Sequence, residues 1–145
     1  MIAIFLNKSN IMVKKLYDFE EFYKIGEELS KIDDEAHARS SINRDYYALF
    51  GESRRYLVEV RGKKYLKSKK RIHKKVCDAL RFSRDPTEEY IGKILYMLKT
   101  ARGFADYDWN EKDVDYFKEM LIQAQKEVPN GLESLKYLNN KYNNN

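Results

Sequence analysis

Two arginines interrupt patterns that otherwise read as apolar helix faces. Arg44 stands just before the aromatic patch Tyr46-Tyr47-Ala48-Leu49-Phe50, and Arg102 lies one helical turn before Asp106, with Tyr107 next. An arginine at the end of a core-facing stripe has two plausible jobs. It can form a structural ion pair, here Arg102 with Asp106 on a shared helix face. It can instead hold a phosphate oxygen, for which its forked donors and permanent charge are suited. His73 titrates near neutral pH. It can serve as general acid or base in RNA cleavage, where the substrate's own 2′-hydroxyl attacks; a lone histidine on a helix is also commonly structural. Arg44, His73, Arg102, Asp106 and Tyr107 are therefore the candidate catalytic residues.

Other chemistries have less support. The only histidines are His37 and His73, no His pair stands at i, i+4, and a single cysteine allows no Cys pair, so no metal site is expected. Asp33, Asp34 and Glu35 form an acidic cluster whose simplest role is to cap a helix. Cys77 lies among basic residues, which lower a thiol pKa, but its neighbours Val76 and Leu80 favour a small buried hydrophobe. No Gly-rich loop follows an apolar strand, so P-loop and Rossmann sites are excluded, and no cofactor is expected.

Charge is strongly segregated. From Arg61 to Arg84 there are eleven basic residues against the single acidic Asp78, a balance of +10, while the other residues hold 17 basic and 22 acidic side chains, a balance of −5. A mildly acidic body with one basic segment attracts polyanions. Lys63, Lys64, Lys67, Lys69, Lys70, Arg71, Lys74 and Lys75 form the candidate RNA-contact surface. The competing reading is a solvated face that only keeps the chain in solution.

The elements that must carry these residues read as helices. With 145 residues, two prolines and six glycines, the chain has the size of one compact domain and few breaks. No apolar run approaches eighteen residues, so no membrane span is expected. One cysteine fits a reducing, cytoplasmic setting. Residues 1–15 lack a clear amphipathic pattern and read as a poorly ordered extension, with Met12 an alternative start; Met1–Leu6 is too short for a signal-peptide core.

The first helix is expected from an Asp18 cap, with Phe19, Phe22, Ile25, Leu29 and Ile32 on one face. A second, capped by Asp33 or Asp34, carries Ala38, Ile42, Tyr46, Leu49, Ser53, Leu57 and Val60, and ends at Arg61-Gly62. A basic connection, Lys63–Lys70, leads to a third helix with Ile72, Val76 and Leu80. Asp85-Pro86 opens a fourth containing Ile91, Ile94, Leu95, Leu98, Ala101 and Ala105. Asn110 caps a fifth through Val114, Phe117, Leu121, Ala124 and Val128. Leu132, Leu135 and Leu138 continue that phase beyond Pro129, as a kinked helix or two collinear segments. The Asn-rich tail 139–145 is expected to fray. The fold class is therefore all-α, an up-and-down bundle of four to five helices over residues 16–138.

Three stretches, in order, carry a family resemblance over roughly residues 16–128. Ser41-Ile42-Asn43-Arg44-Asp45-Tyr46-Tyr47-Ala48-Leu49-Phe50 resembles the Ser-Arg-x-Tyr-Tyr-Ala-x-Phe signature of small prokaryotic HEPN-domain proteins. Ile72-His73-Lys74-Lys75-Val76 is similar to their His-Lys-Gly-Val segment. Leu98-Lys99-Thr100-Ala101-Arg102-Gly103-Phe104-Ala105-Asp106-Tyr107 is similar to their Leu-x-x-x-Arg-x-x-Ala-Asp-Tyr motif.

The resemblance implies a HEPN-like helical homodimer that binds RNA or a nucleotide. It also implies a toxin–antitoxin or antiviral defence setting, metal-independent endoribonuclease activity in active members, and a small nucleotidyltransferase or other antitoxin protein as partner. Active members place His four to six residues after Arg. Here Gly51 follows Phe50, Tyr107 stands five residues after Arg102, and His73 is the imidazole left to substitute in space. Tyr107 is then a candidate for modification by a partner nucleotidyltransferase. The alternative is a non-catalytic member that binds a partner protein or nucleotide.

Overall fold

The computed structural model describes residues 4–6, 12–14, 19–31, 35–105 and 111–143. Two short strands, β1 (Ile4–Leu6) and β2 (Met12–Lys14), pair antiparallel with Phe5 opposite Val13. Helices α1 (Phe19–Ser30), α2 (Glu35–Glu59), α3 (Ile72–Arg81), α4 (Pro86–Ala105) and α5 (Glu111–Asn143) follow, with a 3₁₀ turn at Lys64–Lys67 between α2 and α3. The bundle is all-α, as the helical periodicities predict. Residues 4–6 and 12–14 of the expected N-terminal extension pair as β1 and β2; three residues per strand are too few to leave a readable alternation. The caps expected at Asp18, Asp33 or Asp34 and Asn110 lie outside the described residues, as do Asp106 and Tyr107.

The core sits where the apolar stripes of α2, α4 and α5 meet, with α3 closing one side. Ile42, Tyr46, Leu49 and Leu57 are fully buried, against Leu95 and Leu98 of α4 and Phe117, Ala124, Val128 and Leu138 of α5. The local signals that end and start these helices act as their chemistry requires. Gly62 has φ +68, the left-handed value that favours glycine after a helix. The Lys63 N–H then closes back on the Leu57 carbonyl at 2.9 Å. Asp85 Oδ1 accepts the N–H groups of Thr87 at 2.8 Å and Glu88 at 3.2 Å, and Pro86 opens α4.

Two expectations change at the ends of the bundle. α1 does not bury its predicted stripe evenly: Ile25 is 40% exposed, while Gly26 is buried against α2. A β-carbon at Gly26 would come within 2.6 Å of Asp45 Oδ1 and 3.1 Å of the Ser41 carbonyl, so the helices approach through the one position that has no side chain.

At the other end, α5 runs as one helix through Pro129 to Asn143, so residues 139–143 are helical where fraying was expected. Lys141 Nζ and the Tyr142 hydroxyl both donate to Asp85 Oδ2, at 2.9 and 2.6 Å. Burial alone would raise the Asp85 pKa, but these bonds and the two capping N–H groups hold it well below the usual carboxylate range.

Candidate nucleic-acid interface

The middle of α2 distributes its side chains by helical geometry. Tyr46 points into the core, Arg44 is exposed, and Tyr47 lies between the two extremes. The Arg44 guanidinium carbon sits 5.3 Å from the centre of the Phe22 ring of α1. From α4, Arg102 Nη2 donates to the Tyr47 hydroxyl at 2.9 Å. Its guanidinium carbon stands 5.0 Å from the Tyr47 ring and 5.2 Å from the Tyr46 ring. Cation–π contact and the tyrosine acceptor thus hold Arg102 in place with no carboxylate partner among the described residues.

Arg44 and Arg102 share one open cleft of about 560 Å³ with Ser40, Asn43, Tyr47 and Phe22. Among the described residues no acid lines it, and neither arginine forms an ion pair. Asp45, the carboxylate next to Arg44, turns inward, where Gln125 Nε2 of α5 donates to it. Two guanidinium groups with amide and hydroxyl donors make a cleft whose chemistry matches a phosphate group.

His73 enters from the first turn of α3. Its Nδ1 shares a 2.6 Å hydrogen bond with the Tyr46 hydroxyl, and its ring stacks on Phe50 at 4.4 Å. Burial, then the positive charges of Arg102, Lys99 and Arg54, lower its pKa, so the imidazole is neutral at pH 7. Tyr46 is the link: it bonds His73 and lies under Arg102. Burial raises the Tyr46 phenol well above its ordinary value, which keeps it protonated.

Of the catalytic candidates, Arg44 and Arg102 share the cleft. His73 joins Arg102 through Tyr46, behind the cleft wall rather than in it. Cys77 is buried, burial raises its thiol pKa, and its Sγ lies 3.9 Å from the Gly92 carbonyl, as a small core residue would. Among the described residues, no three His, Cys, Asp or Glu side chains cluster as metal ligands do.

The basic segment borders the His73 end of this site. Leu66 anchors the 3₁₀ turn in the core, and Arg54 of α2 donates to the Leu66 carbonyl at 2.8 Å and to the Lys67 carbonyl at 3.0 Å. Lys64, Lys67, Lys69, Lys70, Arg71 and Lys74 are exposed, while Lys63 and Lys75 are half-buried. Among them, only Lys74 has an ion-pair partner within the described residues, Asp78 at 2.6 Å. Arg71 precedes α3 at φ +51, a left-handed conformation that costs a non-glycine residue free energy.

Sequence reading did not find Arg54 or the Tyr47 acceptor. Neither has a local signature, since both act on residues distant in the chain. No protein-family model matches the chain, and no curated protein or solved structure is significantly similar to it.

Proposed function

We propose that this is a HEPN-like RNA-binding protein of a toxin–antitoxin or defence system, acting in the cytoplasm, with the Arg44–Arg102 cleft taking an RNA phosphate. The observation that carries the proposal is that α2 and α4 each bring one arginine, unpaired with any described carboxylate, to the same open cleft. The exposed lysines beside it supply the sequence-independent attraction to the phosphate backbone. The homodimer and the nucleotidyltransferase or other antitoxin partner come with this reading from the resemblance.

Metal-independent cleavage is the enzymatic form of the same site. The 2′-hydroxyl would attack phosphorus and lose its proton to water, while the bond to the 5′-oxygen breaks and that oxygen takes up a proton from water. Arg44 and Arg102 would stabilise the added charge on the phosphoryl oxygens. Because His73 lies behind the cleft wall, this form rests on the two arginines. Non-catalytic binding is favoured by Gly51: a β-carbon there would fall 2.1 Å from Phe19 Cε1, so the position where relatives carry His has no room for a ring.

One experiment tests both forms: RNA binding and RNA cleavage in chelator, for wild type, Arg44→Ala and Arg102→Ala matched for folding. Binding that weakens about tenfold or more in each variant supports the cleft, at about 1.5–3 kcal/mol per hydrogen bond to a charged group. Cleavage that survives chelator and is lost in both variants supports the enzyme. Variants that lose only stability would leave the arginines a structural role and overturn the proposal.

A further inference from the structure

Phe82, which ends α3, is 73% exposed, and Tyr96 on α4 is 48% exposed. Arg81 lies between them. Its guanidinium carbon is 3.9 Å from the centre of the Tyr96 ring and 5.1 Å from that of Phe82. Arg81 has no ion-pair partner among the described residues. The three side chains project from a tight junction: a β-carbon at Gly92 would come within 2.3 Å of the Arg81 backbone nitrogen, so α3 and α4 touch through their main chains.

The cluster also lies on a positive path. On one side, Lys99 lies on α4 one turn from Tyr96 and one turn from Arg102 of the cleft, and its charge acts on both His73 and Cys77. On the other side, Phe82 forms part of the wall of a second cleft of about 590 Å³, which also holds Lys63 and Arg84. The acids there are already engaged: Asp85 by Lys141 and Tyr142, and Glu88 by Arg61 at 3.3 Å and Tyr56 at 3.0 Å.

We infer that Tyr96, Arg81 and Phe82 form a base-stacking platform for single-stranded RNA that runs from the Arg44–Arg102 cleft along α3. Flat aromatic faces flanking a guanidinium, with lysines and arginines on both sides, are the parts from which sequence-tolerant single-strand sites are built. The ten residues of α3 rise about 15 Å, a span of a few nucleotides. A duplex offers the platform nothing, because its base faces are already stacked on one another. The inference rests on the RNA reading above and narrows it to single strands.

The test compares a short fluorescent oligouridine with an RNA duplex of the same length, for wild type, Phe82→Ala, Tyr96→Ala and Phe82→Trp. Both alanine variants change exposed side chains, and melting curves confirm that they fold. Each is expected to weaken oligouridine binding about five- to tenfold per lost stacking contact. Duplex binding stays within about twofold, and Phe82→Trp keeps the wild-type affinity. Equal losses for both RNAs would show that the rings act through charge or shape, and would overturn the platform. Unchanged oligouridine binding would assign the rings to a protein partner instead, and also overturn it. A wild type that binds neither RNA would remove the RNA reading itself, an outcome distinct from the other two.

Discussion

A β-carbon at Gly51 would fall 2.1 Å from Phe19 Cε1 and 2.2 Å from Cδ1, a separation no packing tolerates. The glycine is what allows α1 to lay Phe19 on α2. The resemblance would put a histidine at this position, and a histidine there and a docked Phe19 exclude each other. Gly51→His is accordingly expected to destabilise the protein by about 1–3 kcal/mol through overpacking. Adding Phe19→Ala to that variant should recover part of the loss, because it vacates the space. Urea unfolding of the two variants checks this, and additive losses would contradict it.

The types of the site residues were legible in the sequence, as an arginine before an aromatic patch and another at a helix end. Their convergence was not. It depends on Tyr47 accepting from Arg102 and on Tyr46 touching both Arg102 and His73, contacts between helices that no local spacing encodes.

At the level of elements, α1, α2 and α5 meet around Asp45, which is fully buried. The Ser41 hydroxyl donates to the Gly26 carbonyl at 2.6 Å, and Gln125 Nε2 donates to Ser41 Oγ at 3.3 Å and to Asp45 Oδ2. Asp45 Oδ1 has no hydrogen-bond partner among the described residues. Burial pushes the Asp45 pKa up to about 8, the field of Glu27 adds to it, and the bond from Gln125 opposes it. The carboxyl is therefore uncharged at neutral pH, which lessens the cost of its unpartnered oxygen.

In the unfolded chain the same group titrates near 3.9. Between about pH 4 and pH 8 the folded state holds a proton that the unfolded state has lost. Stability from this group is full below the unfolded value and declines as pH rises through that window, by at most about 1.4 kcal/mol per pH unit. Asp45→Asn, which cannot ionise, should flatten this decline in urea unfolding followed across pH; an unchanged slope would rule Asp45 out as its source.

The helices were legible because their apolar residues repeat at three and four. The seat of α1 was not, since it rests on Gly26, and a periodicity of apolar side chains passes over a residue that has none. The helical tail was missed for a related reason. Asparagines read as fraying, whereas Lys141 and Tyr142 fix the last turn on Asp85, a partner 56 and 57 positions away.

Across the whole molecule, the segregated charge becomes a surface because α2, α3 and the 3₁₀ turn fold the basic segment against one side of the bundle. Holding so many like charges together costs stability through mutual repulsion. A segment that served only to solvate the chain would spread them. If these side chains meet phosphates, binding releases counterions and must weaken steeply with salt.

Lys64, Lys67, Lys69 and Lys70 are exposed and lie outside the core, so replacing all four with glutamine should leave the bundle folded or slightly more stable. On single-stranded RNA, each phosphate contact removed lowers the slope of log affinity against log salt by about 0.7, so the fourfold variant should lose roughly three from that slope. The wild-type and variant affinities should then converge as salt rises, because the difference between them is electrostatic. A variant with the wild-type slope would mean that these lysines never meet the phosphates, and would move the RNA path to the α3–α4 junction alone.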